Sequence, residues 1–424
     1  MTKKIKFREA LKEKRLNLFE ERYQLNDSFY VIDLVQLYED INILRSAFNK
    51  NKTKIAYSYK TNYLKPIIKL FDQNDIYSEV VSPFEVDITK SYRINPKKII
   101  YNGPIKDKKS VQYVLQNNGL VNADSFDDLN MILNATEDCT NNKSLRIGVR
   151  FSFLDDDLKS RFGIEYTKKN IIEIFNILKS YGINHLSCLH IHFPERTLKA
   201  FQQRVNKICS VYSELKKSFP LQNTVIDIGG GLPSKLSEIT SKSIGVKNFP
   251  DLCEYSKVLK SETKKFDLEN VEFIIEPGTA LISNSMHIIG NVYTINKKKD
   301  SYYINTDLSR NLIGGLRQNV DYPISIISQS HLESINDEEN KFSKVSTIAG
   351  YSCVEKDKLR NKLSFPENLS LDSKVLIESV GSYSHVFKSP FIRGDVAVFT
   401  WNGDQLSLSK RKQTANDLSG MYLD

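Results

Sequence analysis

Lys54-Ile55-Ala56-Tyr57-Ser58-Tyr59-Lys60 is a short apolar run closed by a lysine. It reads as a buried parallel strand. A lysine at the end of such a strand has two uses. Its stem can lie along the strand while the amine snorkels to water. Alternatively, a desolvated amine deprotonates more easily and becomes nucleophilic enough to form a Schiff base. Seven further apolar runs follow, near 76–81, 97–101, 119–123, 144–151, 185–192, 223–228 and 271–276, with segments of helical period between them. Eight strands alternating with helices over roughly 240 residues are what a (β/α)8 TIM-type barrel requires, and such a barrel places its chemistry at the carboxyl ends of the strands.

Past residue 281 the pattern changes to short strand-like runs: 301–305, 322–328, 345–349, 374–379 and 396–401. Helical periodicity is sparse there, which predicts a second, all-β domain. The run Ser28–Asp33 has no place in the barrel and is expected to join that domain. The expected division is therefore a barrel over 34–280 and a β domain built from 1–33 plus 281–424.

The formal charge of +9 comes from 60 Lys and Arg residues that are scattered and mostly lysine, with no arginine-rich or aromatic-interleaved stripe. That describes a solvated surface and argues against nucleic-acid binding. The basic start Met1-Thr2-Lys3-Lys4-Ile5-Lys6 is followed by no apolar core of a signal peptide, and no run of eighteen apolar residues occurs, so a cytoplasmic protein off the membrane is expected. Five cysteines (Cys139, Cys188, Cys209, Cys253, Cys353) lack paired spacing, which predicts neither disulfides nor a metal site.

If the barrel register is right, unusual residues collect at its carboxyl rim. The first strand ends in Lys60, the second leads into Glu79 and Glu85, and the fifth carries Arg146. The sixth ends in His190-Ile191-His192, the seventh in Asp227-Ile228-Gly229-Gly230-Gly231, and the eighth in Glu276-Pro277-Gly278. The three glycines can make a tight turn, or let the backbone approach an anion such as a phosphate and point N–H groups at it. The two histidines alternate along one strand and so share a side, with His192 nearer the rim. His190 reads as a satisfied core histidine, His192 as a ring able to stack on a planar group.

Together these residues resemble the alanine-racemase-like fold of pyridoxal 5'-phosphate enzymes, in its diaminopimelate, ornithine and arginine decarboxylase branch. The Tyr57-Ser58-Tyr59-Lys60-Thr61-Asn62 stretch resembles the family's Y-x-x-K-x-N, whose lysine carries the cofactor. Glu79-Val80-Val81-Ser82-Pro83-Phe84-Glu85, Asn122-Ala123-Asp124-Ser125 and Lys159-Ser160-Arg161-Phe162-Gly163 resemble further barrel segments. The resemblance gives His192 the ring-stacking role, Gly229 to Gly231 the phosphate, and Glu276 the protonated ring nitrogen, which turns the ring into an electron sink. It adds Glu79, Arg146 and Gly278 to the cofactor site. In the β domain, Gly350 to Asp357 resembles G-P-x-C-E-S-x-D, whose cysteine, here Cys353, reaches the active site of the other subunit, and Gly381-Ser382-Tyr383 resembles G-A-Y, whose tyrosine touches the phosphate. A homodimer with shared sites is implied, with Lys60, Cys353 and His192 as catalytic residues.

Two departures concern the phosphate. The family's I-G-S after the stacking histidine is replaced by Phe193-Pro194-Glu195-Arg196, and the arginine of E-P-G-R by Thr279, which leaves Arg196 as the candidate replacement. Two more concern the substrate. The acidic residue that follows the cysteine in ornithine and diaminopimelate enzymes is Val354 here, and L-Y-D aligns loosely with Leu316-Arg317-Gln318. A buried ammonium without a counter-charge costs several kcal/mol, so a non-basic distal group is expected, paired with Arg317 or Arg310. Against this, Glu355, one place later, could supply the missing charge. The expected activity is pyridoxal-phosphate-dependent decarboxylation of an amino acid, free or carried on a carrier protein. The alternatives are an amino-acid racemase and a catalytically silent binding or regulatory protein.

Overall fold

The computed structural model describes residues 4–13, 26–48, 52–136, 145–153, 160–221, 223–246, 249–299, 301–314, 320–328, 331–335, 345–364, 369–389 and 391–422. A first strand, β1 (Phe29–Asp33), precedes the alternating region. There follow β2 (Thr53–Ser58), β3 (Tyr77–Val80), β4 (Ile99–Tyr101), β5 (Leu120–Ala123), β6 (Arg146–Ser152), a two-residue β7 (Ile164–Glu165), β8 (Cys188–His190), β9 (Val225–Asp227) and β10 (Phe273–Ile275). Each pairs in parallel with its neighbour in the order β5-β4-β3-β2-β10-β9-β8-β6, and β5 pairs with β6, so eight parallel strands close into a barrel as expected. The ninth, β7, lies outside it, paired only with β6.

The connecting helices start where the sequence supplies an oxygen for their first turn. Ser82, Asp107, Thr167 and Thr197 each accept a hydrogen bond from the backbone N–H three residues on. Most barrel-strand positions are buried, and Ala56, Ile100, Leu120, Cys188, Val225 and Ile274 pack together as one buried cluster inside the barrel.

The remaining strands are β11 (Met286–Lys298), β12 (Ser301–Thr306), β13 (Ile324–Ser328), β14 (His331–Ile335), β15 (Val345–Ala349), β16 (Lys358–Ser364), β17 (Lys374–Ile377), β18 (Ala397–Trp401) and β19 (Leu406–Lys410). With β1 they form a ten-stranded sheet in which β1 lies between β11, antiparallel, and β18, parallel. Its core gathers Phe7, Phe29, Val31, Ile289, Phe399 and the fully buried Trp401. The Trp401 indole N–H donates to the Ile5 carbonyl at 2.8 Å, which ties the chain start to this sheet.

By contact density the chain divides into one unit of Met1–Asn42, Ser234–Asn248 and Leu281–Asp424, and another of Ile43–Pro233 and Phe249–Ala280. The segment after the three glycines thus groups with the β strands, an excursion that apolar periodicity does not signal. No helix among the described residues is long and apolar enough to cross a membrane. Cys188 and Cys209 are buried free thiols, Cys253 and Cys353 are exposed free thiols, and Cys139 lies outside the described residues.

Candidate active site

Lys60 does not end a strand. β2 stops at Ser58, and Lys60 sits on the single 3-10 turn Tyr59–Thr61 that follows it. The turn aims the amine at Glu79 on β3, with Nζ 3.0 Å from Oε2 and 3.3 Å from Oε1. Glu79 is 1% exposed and also accepts from Ser58 Oγ at 2.6 Å and from Asn102 Nδ2 at 3.2 Å. The Asn102 amide continues to Glu276 Oε1 at 2.6 Å, and its oxygen accepts from Asn122 Nδ2 at 2.8 Å. The ends of β2, β3, β4 and β10 are thereby joined by one line of polar side chains running from Lys60 to Glu276, with Asn122 of β5 branching from it.

Glu85 stands apart from that line. Its carboxylate accepts from Val81 N at 2.7 Å while Ser82 Oγ accepts from Glu85 N, so it closes the start of helix Pro83–Ser91, and burial pushes it up to about 7.

His192 is held by the glycine loop. Its Nδ1 accepts from the Gly230 N–H at 3.2 Å, which leaves the proton of a neutral ring on Nε2. Burial, then the Arg204 and Lys60 charges, keep it neutral, well below the usual histidine value. The glycines are needed for this approach. Gly229 and Gly231 have φ of 66° and 84°, a Cβ on Gly229 would lie 2.7 Å from His192 Nδ1, and one on Gly230 would lie 2.6 Å from the Glu276 carbonyl oxygen. Gly278 is equally constrained, since a Cβ there would lie 2.1 Å from Thr61 Oγ1. Two of the loop N–H groups are already used, Gly229 by Asp227 Oδ1 at 2.9 Å and Gly230 by His192.

The arginine at this end of β6 is Arg150, which corrects the expectation for Arg146. Arg146 opens the strand, opposite the first residue of β5, and therefore lies at the amino end of the barrel. Arg150 shares its face four residues later. It donates to the His192 carbonyl at 3.2 Å and lies 3.5 Å from Asp124 and 4.9 Å from the Phe162 ring centroid.

Arg204 is a further cation absent from the sequence reading. On helix Leu198–Leu215 it occupies the inward stripe with Phe201, Val205 and Ile208, and its fully buried guanidinium donates to the carbonyls of Phe193 at 3.1 Å and Gly230 at 2.7 Å. It braces the glycine loop from behind. Arg196 presents its carbonyl to the Tyr255 hydroxyl.

In the β unit, the Gly350–Asp357 loop is wrapped around the buried Asp357. Its carboxylate accepts from Ser352 N at 3.2 Å and Arg310 N at 2.9 Å, while Gly350 N donates to its carbonyl at 2.8 Å. A side chain at Gly350 would strike that carboxylate. This turns Cys353, Val354 and Glu355 outward, and Glu355, with its side chain 93% exposed, reaches Lys358 at 3.6 Å. Arg310 is not a free cation: it donates to the Lys358 and Val320 carbonyls at 3.1 and 2.8 Å and faces Asp321 at 3.6 Å. Arg317 lies outside the described residues. Tyr383 has a left-handed φ of 62° and stacks on Phe387 with ring centroids 5.5 Å apart.

Within the barrel unit, a lysine with an acceptor at hand, a flat neutral histidine, a glycine loop with no room for side chains and a buried carboxyl make a donor set suited to pyridoxal phosphate. The pyridoxal binding domain of the pyridoxal-dependent decarboxylases matches residues 34–283. The chain belongs to this family. Its cofactor is pyridoxal phosphate and its reaction is decarboxylation, and the racemase reading finds no support.

This decarboxylase is 21% identical over 383 residues to the diaminopimelate decarboxylase of Zymomonas mobilis, covering 87% of this chain and 85% of that protein. It is 22% identical over 367 residues to the lysine/ornithine decarboxylase of Selenomonas ruminantium, with 86% of each covered. Its fold is that of the Helicobacter pylori diaminopimelate decarboxylase complexed with L-lysine, at a TM-score of 0.78 and 21% identity over 95% of this chain and 98% of that one.

Proposed function

We propose that this decarboxylase acts on an amino acid with a neutral or acidic distal group, in a homodimer whose partner supplies Cys353 to the site around Lys60. The observation that carries the first part is the loop folded on Asp357, where Val354, 42% exposed, occupies the place next to Cys353. A cavity of about 570 Å³ in the β unit lies against the same loop, lined by Val354, Phe387, Phe391, Arg310 and Lys388. Asp357, the carboxylate of that lining, is spent on the loop's own N–H groups. Such a lining favours an apolar, neutral or anionic group over a bare ammonium.

Bound pyridoxal phosphate supplies the electron sink that lets carbon dioxide leave the α-carbon. The chain's own residues do the rest. Glu79 holds the Lys60 amine in place before loading, and Lys60 carries the cofactor. His192 presents a neutral ring fixed by Gly230, and Glu276 offers its carboxyl to the ring nitrogen. The glycine loop admits the phosphate closely, with Tyr383 as a further contact. Cys353 Sγ holds the proton for the α-carbon. Its exposure agrees with a side chain that meets a second copy rather than its own core, and a two-fold interface answers that need.

The test is kcat/KM for lysine, ornithine, arginine and meso-diaminopimelate against glutamate-like, neutral and carboxylated diamino acids. The preferred substrate is expected to exceed lysine and ornithine by about a hundredfold, the discrimination worth roughly 3 kcal/mol. A simple basic amino acid as best substrate, with its turnover abolished by Glu355→Gln, contradicts the proposal.

A further inference from the structure

Glu276 is not alone beneath the candidate ring site. Its carboxyl, that of Asp227 at the end of β9 and the His190 imidazole on β8 offer atoms that all lie within 4.8 Å of one another, and all three residues are at most 3% exposed. Asp227 Oδ1 is fixed by the Gly229 N–H at 2.9 Å, and its Oδ2 meets no donor among the described residues other than the Glu276 carboxyl. His190 makes no hydrogen bond from either ring nitrogen among the described residues and stands 3.8 Å from Glu276 Oε2.

Two carboxylates this close, this dry and facing each other cannot both be ionised without a cation between them. The charges around them come from several elements: Glu79 on β3, Lys60 on the turn after β2, Arg150 on β6 and Arg204 on helix Leu198–Leu215. Among the described residues, Lys60 hydrogen-bonds to Glu79, Arg150 to the His192 carbonyl and Arg204 to the Phe193 and Gly230 carbonyls. Burial drives both carboxyls up, and the negative charge of each neighbour drives Glu276 further. Burial and the surrounding cations hold His190 neutral, so it does not supply the missing charge.

We propose that Asp227 and Glu276 share one proton in the cofactor-free chain and give it up when the ring of pyridoxal phosphate binds. An unprotonated ring nitrogen would take this proton from the Glu276 carboxyl, whose O–H bond breaks, and the positive ring would then offset the carboxylates' charge in the proton's place. For such a ring the total charge is unchanged and no proton is exchanged with solvent, whereas a ring that arrives already protonated sends the shared proton to solvent. Asp227 touches no substrate atom in this scheme. It is a positioning residue that adds to burial in keeping Glu276 protonated until the ring arrives.

The inference rests on the pyridoxal-phosphate reading of the site, and its test separates the two. Cofactor-free protein is titrated with pyridoxal phosphate in a calorimeter, in buffers of different ionisation enthalpy, to count the protons exchanged per cofactor bound. Asp227→Asn retains an acceptor for Gly229 and removes the neighbouring charge that adds to burial in keeping Glu276 protonated. It is expected to take up about one proton more per cofactor than wild type at neutral pH, since all other proton changes of loading are common to both proteins. Equal counts from a variant whose cofactor-free infrared spectrum shows no protonated Glu276 overturn the proposal. A measurement on wild type alone covers a variant that does not fold: infrared difference spectra with ¹³C-labelled Asp and Glu should show one protonated-carboxyl band lost on loading, and an unchanged band overturns the proposal as well. A protein that binds no pyridoxal phosphate at all overturns the cofactor reading and this inference with it.

Discussion

Lys60→Ala protein is expected to lose decarboxylation by about ten-thousandfold or more, together with the visible absorbance of bound cofactor and any borohydride-stable adduct. In the proposed reading the amine is the nucleophile that carries the cofactor, and it is hydrogen-bonded to Glu79. Truncation also strips a buried carboxylate of its cation, leaving Glu79 with Ser58 and Asn102 as partners. Some loss of stability is therefore expected with the alanine variant. Lys60→Arg separates the two effects, since it keeps a cation beside Glu79 and cannot carry the cofactor. Equal inactivity of both variants, with the arginine variant retaining the wild-type melting temperature, is the expected pattern. A reducible adduct that persists on another lysine contradicts the assignment.

The second large effect is recovery. Cys353→Ala alone is expected to lower kcat by a factor of about 10² to 10⁴, the range of a missing proton donor. Mixed with inactive Lys60→Ala protein, it should regain up to about a quarter of wild-type activity, because random re-pairing puts one intact site in half of the dimers. The basis is the position of Cys353, exposed on a loop that Asp357 holds shut, in a different unit of the chain from Lys60. A fully active monomer, or a mixture no more active than its parts, contradicts shared sites.

The barrel was legible because its signal is redundant. Eight apolar runs recur with helical segments between them, so an error of two residues at any boundary leaves the architecture unchanged. Individual strand ends carry no such redundancy. Lys60 reads as a strand terminus, yet backbone hydrogen bonding stops at Ser58, and the turn at Tyr59–Thr61 sets its aim. Arg146 and Arg150 are four apart on one strand and share a face, so alternation alone does not choose between them. Pairing does, since Arg146 is opposite the first residue of β5.

In the β unit, β11 went unread because its buried half, Met286–Gly290, passes without a break into an exposed half, and neither alternation nor a bounded apolar run covers it. Asn102 was missed for another reason. Asn-Gly after a strand is the usual signature of a turn, and nothing in the local sequence says that its amide spans two carboxylates from distant strands. Arg204 hides in an apolar helix stripe, where a lone cation looks like an irregularity; only the carbonyls of Phe193 and Gly230 give it a purpose. The residues matched to motifs were recognisable as strand-end chemistry, whereas those that brace them act across the fold and leave no local pattern.

The central claim is that this chain removes carbon dioxide from an amino acid at a pyridoxal-phosphate site. The most direct measurement incubates the purified protein with a mixture of amino acids ¹³C-labelled at the α-carboxyl, with and without added pyridoxal phosphate, and follows headspace ¹³CO₂ and the amines by mass spectrometry. Cofactor-dependent release of ¹³CO₂, matched mole for mole by one amine lighter than its parent by carbon dioxide, is the predicted result. Protein loaded with cofactor that releases no ¹³CO₂ from any member of a mixture spanning basic, neutral, acidic and carboxylated diamino acids would contradict it.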